Sequence, residues 1–466
     1  MLKKLYSYVI IESRKLYGKE NSYMSTLKVD FGKIKGEIKP VHAVGQPPWM
    51  GLGGQFLHYL TEAHIPYARL HDMGGAYGGM VYVDVPNIFR DFNADENAPE
   101  SYDFTFTDIL VTKLMESGCK PYYRLGVTIE NTVKVKPYRI IPPADFNKWA
   151  RICEHIIRHY REGWANGFEY DIEYWEIWNE CDNMPRPEEN PMWVGTKEQY
   201  YELYDIASKH LKACFGDKIK VGGYASSGLY GILKDPTLYG INLPANTEPI
   251  PEERNENFMA FFLGFFEYVK AHNCPLDFFS WHSYAGVSNT VVMEKFIEKH
   301  LEENGYGNVE IHVNEWNNAS TVELRGSSYA ASTACEMMIR MHGTKCYMMN
   351  YYDARIGQSV YGGLFNPMTY KPLCTYYPFK AIGELYAMGN EVVCECDGNS
   401  VCLAAVSADG EKKGIVLVNT KEDETVNCDL CGMKAYLIDE EHMMEEINFD
   451  GNSIKIKKHQ TVLFIS

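Results

Sequence analysis

Tyr174-Trp175-Glu176-Ile177-Trp178-Asn179-Glu180 is the stretch on which the fold assignment turns. Its aromatic and β-branched content predicts a short β-strand that ends on two polar side chains. Before it, Phe146, Trp149, Ile152, Cys153, Ile156, Ile157 and Tyr160 recur with a period near 3.6 and predict an amphipathic helix over 146–160. After it, a second helix is expected over 197–215, with Thr196 and Gln199 spaced as a capping box. Helix, strand, helix is the repeating unit of an α/β protein.

The alternation continues in both directions. Further β-rich runs at 39–44, 67–71, 120–125, 220–224, 278–282, 310–315 and 346–351 bring the strands to eight, and helical patterns at 107–117, 257–272, 291–304, 328–342 and 377–388 separate or follow them. Eight such units over about 350 residues predict a (β/α)8 TIM barrel. A doubly wound open sheet shares the alternation. Gly51, Gly53 and Gly54 follow the first run, but the third glycine of a dinucleotide loop is missing, so a plain turn is expected there. Past about residue 389 the pattern becomes short strands at 401–407, 414–419, 435–438, 453–456 and 461–465, broken by turns such as Asp409-Gly410 and Asp450-Gly451-Asn452. The expected organisation is an extension over 1–24, a strand over 25–36 that joins the C-terminal sheet, the barrel over 37–388, and an antiparallel β-sandwich over 389–466.

With 45 basic and 62 acidic residues among 466, the formal charge is −17, which repels phosphate backbones and argues against nucleic acid as a partner. No apolar run approaches the roughly 18–20 residues of a membrane span. Lys3 and Lys4 precede an apolar patch, but Glu12 and Arg14 cut it too short for a signal peptide; the recognisable pattern begins after Met24, an alternative start, and a cytoplasmic protein is expected. The thirteen cysteines read as small buried hydrophobes. Cys394, Cys396, Cys402, Cys428 and Cys431 are spaced too irregularly for paired zinc knuckles, so no metal or other cofactor is expected. Association into a homo-oligomer is left open.

In a barrel of this kind the chemistry gathers at the C-terminal ends of the strands. Those ends carry Arg69, His71 and Asp72; Tyr123 and Arg124; Trp178, Asn179 and Glu180; His282 and Tyr284; Asn314, Glu315, Trp316 and Asn317; Tyr352 and Asp353. Aromatic faces beside His, Asn and Arg suit a carbohydrate, whose rings offer C–H faces and hydroxyls. Glycosidic cleavage usually needs two carboxyl groups, one protonated and one ionised. Glu180 and Glu315 lie on the fourth and seventh strands, on opposing sides of the barrel. Glu176, deeper in its strand, is expected to be a buried hydrogen-bonded partner. Segments 74–103 and 228–255 are expected to build the rim.

Glu176-Ile177-Trp178-Asn179-Glu180, the run Asp277-Phe278-Phe279-Ser280-Trp281-His282-Ser283-Tyr284, and His312-Val313-Asn314-Glu315-Trp316 resemble the motifs of glycoside hydrolase family 39, a group of retaining barrel hydrolases that includes β-xylosidases and α-L-iduronidases. Arg69-Leu70-His71 is similar to its second-strand motif, and the resemblance covers most of residues 40–390. It implies that Glu180 is the general acid/base and Glu315 the nucleophile. It further implies that Asn179 bonds the sugar 2-hydroxyl and that His71, His282 and Tyr284 line the pocket, Tyr284 also reaching the nucleophile. Arg69, Trp178, Trp316 and Tyr352 are expected to contact substrate from their strand-end positions. Cys181 departs from the proline usual after the acid/base. An exo-acting, β-xylosidase-like hydrolase of small oligosaccharides is therefore expected. The alternatives are a transglycosylase using the same glutamates, a non-catalytic sugar-binding barrel, and a metal-dependent barrel enzyme. For an iduronate carboxylate, Arg69, Arg124, Arg355 or Lys371 would be the cationic partners to consider.

Overall fold

A computed structural model describes residues 23–50, 54–73, 83–129, 140–234, 252–319, 321–357, 359 and 361–466. Residues 1–22 of the expected extension, Gly51 and Gly53, and parts of both expected rim segments (74–82 and 235–251) lie outside them. Strand β1 (Tyr23–Glu37) comes first in the chain. Then β2 (Ala43–Gly45), β3 (Tyr67–Leu70), β4 (Lys120–Leu125), β5 (Tyr174–Ile177), β6 (Lys220–Ser226), β7 (Phe278–Ser283), β8 (Glu310–Trp316) and β9 (Cys346–Tyr351) close into a parallel barrel in sequence order. Because β2 pairs with β3 on one side and β9 on the other, the open-sheet alternative is excluded. The first barrel strand, β2, is shorter than its pattern: Pro40 has no N–H to offer a ladder, and the Val41 N–H turns back to the Lys39 carbonyl at 2.8 Å.

The described barrel helices lie on the expected patterns except for the first two, which are short and matched none. They are α1 (His58–Glu62), α2 (Val85–Ile88), α3 (Thr105–Glu116), α4 (Phe146–Glu162), α5 (Lys197–Phe215), α6 (Glu252–His272), α7 (Val287–Glu303), α8 (Ser328–His342) and α9 (Tyr376–Met388). Helix α5 opens on the expected capping box: Gln199 N donates to Thr196 Oγ1 at 3.2 Å and Thr196 N to Gln199 Oε1 at 2.9 Å. On α4, Asp145 caps the start, Gly163 at φ 70° ends it, and the stripe from Trp149 to Tyr160 is buried. Each such aliphatic side chain contributes about 1.5–3 kcal/mol relative to exposure.

The floor of the barrel is apolar. Ala43, Tyr122, Tyr174, Phe278 and Met348 form one buried cluster from five strands. The residues that point inward above this plug are polar, and they make the site.

The remaining strands are β10 (Asn390–Cys396), β11 (Val401–Val406), β12 (Lys413–Asn419), β13 (Glu424–Asn427), β14 (Lys434–Ile438), β15 (Met443–Ile447), β16 (Ser453–Ile456) and β17 (Gln460–Ile465). With β1 they form one nine-stranded sheet in the order β15-β14-β17-β12-β11-β10-β1-β13-β16. Its ends share a core, since Val426 and Ile456 cluster with Ala435 of β14, and Ile447 of β15 packs against the same cluster. Pairing is antiparallel except between β1 and β13, which run parallel over Tyr23–Thr26. Residues alternate along β11 and β12. Ala404, Val406, Ile415 and Leu417 face this core. Leu403, Ala405, Val416 and Val418 instead join the barrel core, and α8 and α9 pack on these strands. At Gly414 a Cβ would come within 2.6 Å of Leu385 on α9, so glycine permits the close approach. Four of the five C-terminal cysteines, Cys394, Cys396, Cys402 and Cys428, pack against the sheet's core as small hydrophobes.

Candidate active site

Arg69 is the centre of the polar layer above the plug. It is 1% exposed. Its Nε donates to Glu176 Oε2 at 2.9 Å, its Nη1 to Glu315 Oε2 at 3.0 Å, and its Nη2 to Asn179 Oδ1 at 2.5 Å. Glu176 also accepts from Ser280 Oγ at 2.6 Å and from the Asn314 amide. Glu176 is thus the buried partner its depth in β5 implies.

Glu180 and Glu315 meet over this layer with different neighbours. Tyr284 donates its hydroxyl to Glu315 Oε1 at 2.6 Å. Asn183 Nδ2 donates to Glu180 Oε2 at 2.6 Å, and His282 Nδ1 lies 2.8 Å from Glu180 Oε1. The other nitrogen of that ring, Nε2, faces Glu315 Oε2 at 3.8 Å. One carboxylate oxygen from each glutamate and one His282 nitrogen all lie within 4.8 Å of one another. The two carboxylates are 8% and 7% exposed.

Backbone irregularities deliver these side chains. In β8 the pairing with β7 passes from Trp281↔Val313 to His282↔Glu315, leaving Asn314 unpaired as a bulge. Strict alternation would turn Glu315 outward if Asn314 faces in; the bulge brings both inward. In β5 the pleat stops at Ile177, because Trp178 adopts φ 70°. Gln46, Asp72, Glu180 and Ala225 share this left-handed conformation, with φ from 46° to 53°, all at the C-terminal ends of barrel strands. Such residues cost on the order of 1–3 kcal/mol each and cluster where function requires them.

Two expected contacts are corrected by the same geometry. The Trp178 indole leaves the pocket, donates to the Met192 carbonyl at 2.8 Å and packs against Trp149 and Trp193. Trp316 follows the inward Glu315 and so turns outward, onto Tyr351 and onto Phe379 of α9. Both tryptophans build the wall from behind.

A model of the glycosyl hydrolases family 39 matches residues 63–341. The chain belongs to glycosyl hydrolase family 39. It is similar to the β-xylosidase of Geobacillus stearothermophilus, 26% identical over 159 residues that cover 32% of this chain and 29% of that protein. It is also similar to the β-xylosidase of Caldicellulosiruptor saccharolyticus, 27% identical over 172 residues covering 36% and 32%. The matches therefore span about a third of these curated relatives. A solved glucosidase from Croceicoccus marinus shares the fold, with a TM-score of 0.76 at 19% identity over 95% of this chain and 99% of that one.

In this family 39 barrel a second polar group adjoins Glu315. His71 Nδ1 accepts from Arg124 Nε at 3.2 Å, and its Nε2 faces Asp72 Oδ1 at 3.2 Å. Asp72 Oδ2 accepts from the Tyr352 hydroxyl at 2.8 Å, which in turn accepts from Gln46 Nε2 at 2.7 Å. Arg355 Nε donates to Gln46 Oε1 at 2.8 Å. Tyr361 stands against both Tyr284 and Tyr352 with ring centres 5.1 Å apart. Asp353 is turned into its own loop, where Ser359 Oγ donates to it at 2.6 Å. Of these, Gln46, Asn183 and Tyr361 carried no motif in the sequence. Asp72 had its strand-end position as the only signal.

The charges are set by burial and partners. Burial raises both Glu180 and Glu315, and each opposes the other's ionisation. Two carboxyl groups this close hold one proton between them with ease. On Glu315, His282, Arg69 and Tyr284 favour the ionised form; on Glu180, Asn183, Arg254 and Arg69 do. Burial lowers the His282 pKa to about 4, so the imidazole is neutral at pH 7. In the tautomer that carries its proton on Nε2, that N–H faces Glu315 while Nδ1 accepts a hydrogen bond from the protonated Glu180 carboxyl. Glu180, His282 and Glu315 also have the spacing of metal ligands. However, the Arg69 guanidinium 3.0 Å from Glu315 Oε2 would repel a divalent ion there.

Proposed function

We propose that the protein is a retaining β-glycosidase in which Glu315 attacks and Glu180 moves the proton. The observation that carries this is the carboxylate pair, with oxygens within 4.8 Å and unlike partners on each side. Retaining enzymes hold their carboxyl groups about 5–5.5 Å apart, whereas inverting ones leave roughly 6.5–9.5 Å for a water.

In the first step an oxygen of Glu315 bonds to the anomeric carbon, the glycosidic C–O bond breaks, and the leaving oxygen takes the Glu180 proton. In the second, Glu180 removes a proton from water, whose oxygen bonds to the anomeric carbon as the ester to Glu315 breaks. Arg69 and Tyr284 hold Glu315 ionised before attack. Arg69 fixes Asn179 Oδ1, leaving its amide N–H groups for the sugar 2-hydroxyl, a contact that strengthens in the transition state. His71, Asp72, Gln46 and Tyr352 supply donors and acceptors for the remaining hydroxyls.

A neutral glycone fits best. Arg69, Arg124 and Arg355 are all engaged by protein carboxylates or amides, Arg124 through Asp84 Oδ1 at 2.7 Å, and Lys371 is exposed. The similarity to two β-xylosidases points to xylose, and the deep burial of both carboxylates favours exo action on chain ends. A transglycosylase would use the same two steps with an alcohol replacing water, and added methanol would then divert the product.

Glu180→Ala tests the assignment. With 2,4-dinitrophenyl as leaving group, bond breaking needs no proton, and the glycosylation rate should stay within about threefold of wild type. With phenyl as leaving group it should fall by roughly 10²–10⁴-fold, the usual weight of general acid catalysis. Equal losses on both, read by pre-steady-state kinetics, would remove Glu180 from the acid role.

A further inference from the structure

The turn after Glu180 is held from outside itself. Three consecutive carbonyls each accept a side-chain donor: Cys181 O from Asn190 Nδ2 at 2.9 Å, Asp182 O from Asn257 Nδ2 at 2.7 Å, and Asn183 O from Arg254 Nε at 2.7 Å. The Asp182 carboxylate is tied to Ser226 Oγ at 2.7 Å and to Ser227 N and Oγ at 2.9 and 2.8 Å. Arg254 does more than anchor the backbone. Its Nη2 donates to Asn183 Oδ1 at 3.2 Å, which decides the end of the amide turned toward Glu180. The amide nitrogen faces Glu180 and donates to Oε2 at 2.6 Å. Phe258, one turn along α6, supports the guanidinium from 5.2 Å.

We propose that Arg254 and Asn183 are positioning residues for the acid/base: through this two-bond relay they orient the Glu180 carboxyl and keep its ionised form accessible for the second chemical step. The inference rests on the proton-transfer role given to Glu180 above. A residue that donates a proton and then recovers one from water needs both forms within reach at the same pH. Burial alone favours the protonated form of Glu180 and works against the second step. The groups around it are His282 from β7, Glu315 from β8, Arg69 from β3, Asp182 beside it in the turn, and Arg254 from α6. Of these, Glu315 and Asp182 oppose its ionisation. Arg69 is already committed to Glu176, Glu315 and Asn179, so Arg254 is the cation given over to this turn. The Asn183 hydrogen bond and the Arg254 charge both favour the carboxylate.

The test uses Asn183→Ala and Arg254→Met in the full chain, labelled with ¹³Cδ-glutamate, with Glu180→Gln to assign the Glu180 resonance. Removing either group raises the Glu180 pKa, so its NMR titration should move up by about one pH unit. The alkaline limb of kcat/KM, which reports the protonated acid, should move up by the same amount. On aryl glycosides of the sugar that wild type cleaves, deglycosylation, which needs the ionised carboxylate, should slow at least about tenfold, while glycosylation with 2,4-dinitrophenyl, which needs no proton, holds within about twofold. A titration and an alkaline limb that stay put, with glycosylation and deglycosylation of the 2,4-dinitrophenyl substrate slowed equally, would show a merely structural clamp and overturn the proposal. Asn183→Ala removes only the amide, so it serves if Arg254→Met fails to fold. Absence of any wild-type glycosidase activity would remove the proposed function instead, and the Glu180 titration would still decide whether the relay acts on that carboxyl.

Discussion

Glu315→Gly should abolish turnover of aryl β-glycosides, by on the order of 10⁴-fold or more, if Glu315 is the group that forms the covalent intermediate. Azide restores it. The glycine leaves a space the size of a carboxylate beside Arg69 and Tyr284, both of which favour an anion. Azide entering that space attacks the anomeric carbon from the face Glu315 used, and Glu180 still protonates the leaving group. The product is an α-glycosyl azide from a β-glycoside, identifiable by NMR. Full activity in the glycine variant, or an azide adduct of retained configuration, would count against Glu315 as nucleophile.

Arg69→Met carries the second large effect, and it falls on stability and chemistry together. Glu176 at 0% and Glu315 at 7% exposure would lose their shared cation. Stranding a buried charge costs about 3–5 kcal/mol. The melting temperature should drop by several degrees. The sign for activity follows from the same charge. Arg69 favours ionised Glu315; without it the Glu315 pKa rises, and the acid limb of kcat/KM moves to higher pH as the nucleophile spends more of its time protonated. Adding Glu176→Gln to Arg69→Met should recover part of the lost stability, because one stranded carboxyl is then neutral. The double variant matching the single one in thermal unfolding would mean that Glu176 does not depend on Arg69.

The barrel and its carboxylates were legible in the sequence for a physical reason. Strands such as Lys120–Leu125 and Cys346–Tyr351 and helices such as Lys197–Phe215 and Ser328–His342 stand at the bounds that burial periodicity and capping predict. Where the backbone leaves its period, the pattern stopped helping. Trp178 was expected to contact substrate from its strand-end position; one left-handed φ sends it behind the strand instead. Glu315 faces the pocket through the bulge at Asn314, which no residue type announces. Gln46 and Asn183 reach the site from a strand end and a turn whose conformation is fixed by partners far off in the chain, Tyr352 and Arg254. The short strand β15 carries Glu445 and Glu446, and β13 spends one of its two inward positions on the buried Glu424, so both lacked the apolar alternation that marked their neighbours.

The stereochemistry of hydrolysis bears most directly on the assignment of Glu315 and Glu180 to two successive displacements. Wild-type enzyme and an aryl β-xyloside, followed by ¹H NMR from the first minutes of reaction, should release xylose whose anomeric proton appears first in the β form and only later mutarotates. Release of the α anomer first would mean a single displacement by water, which a carboxylate pair this close and a nucleophilic Glu315 do not allow.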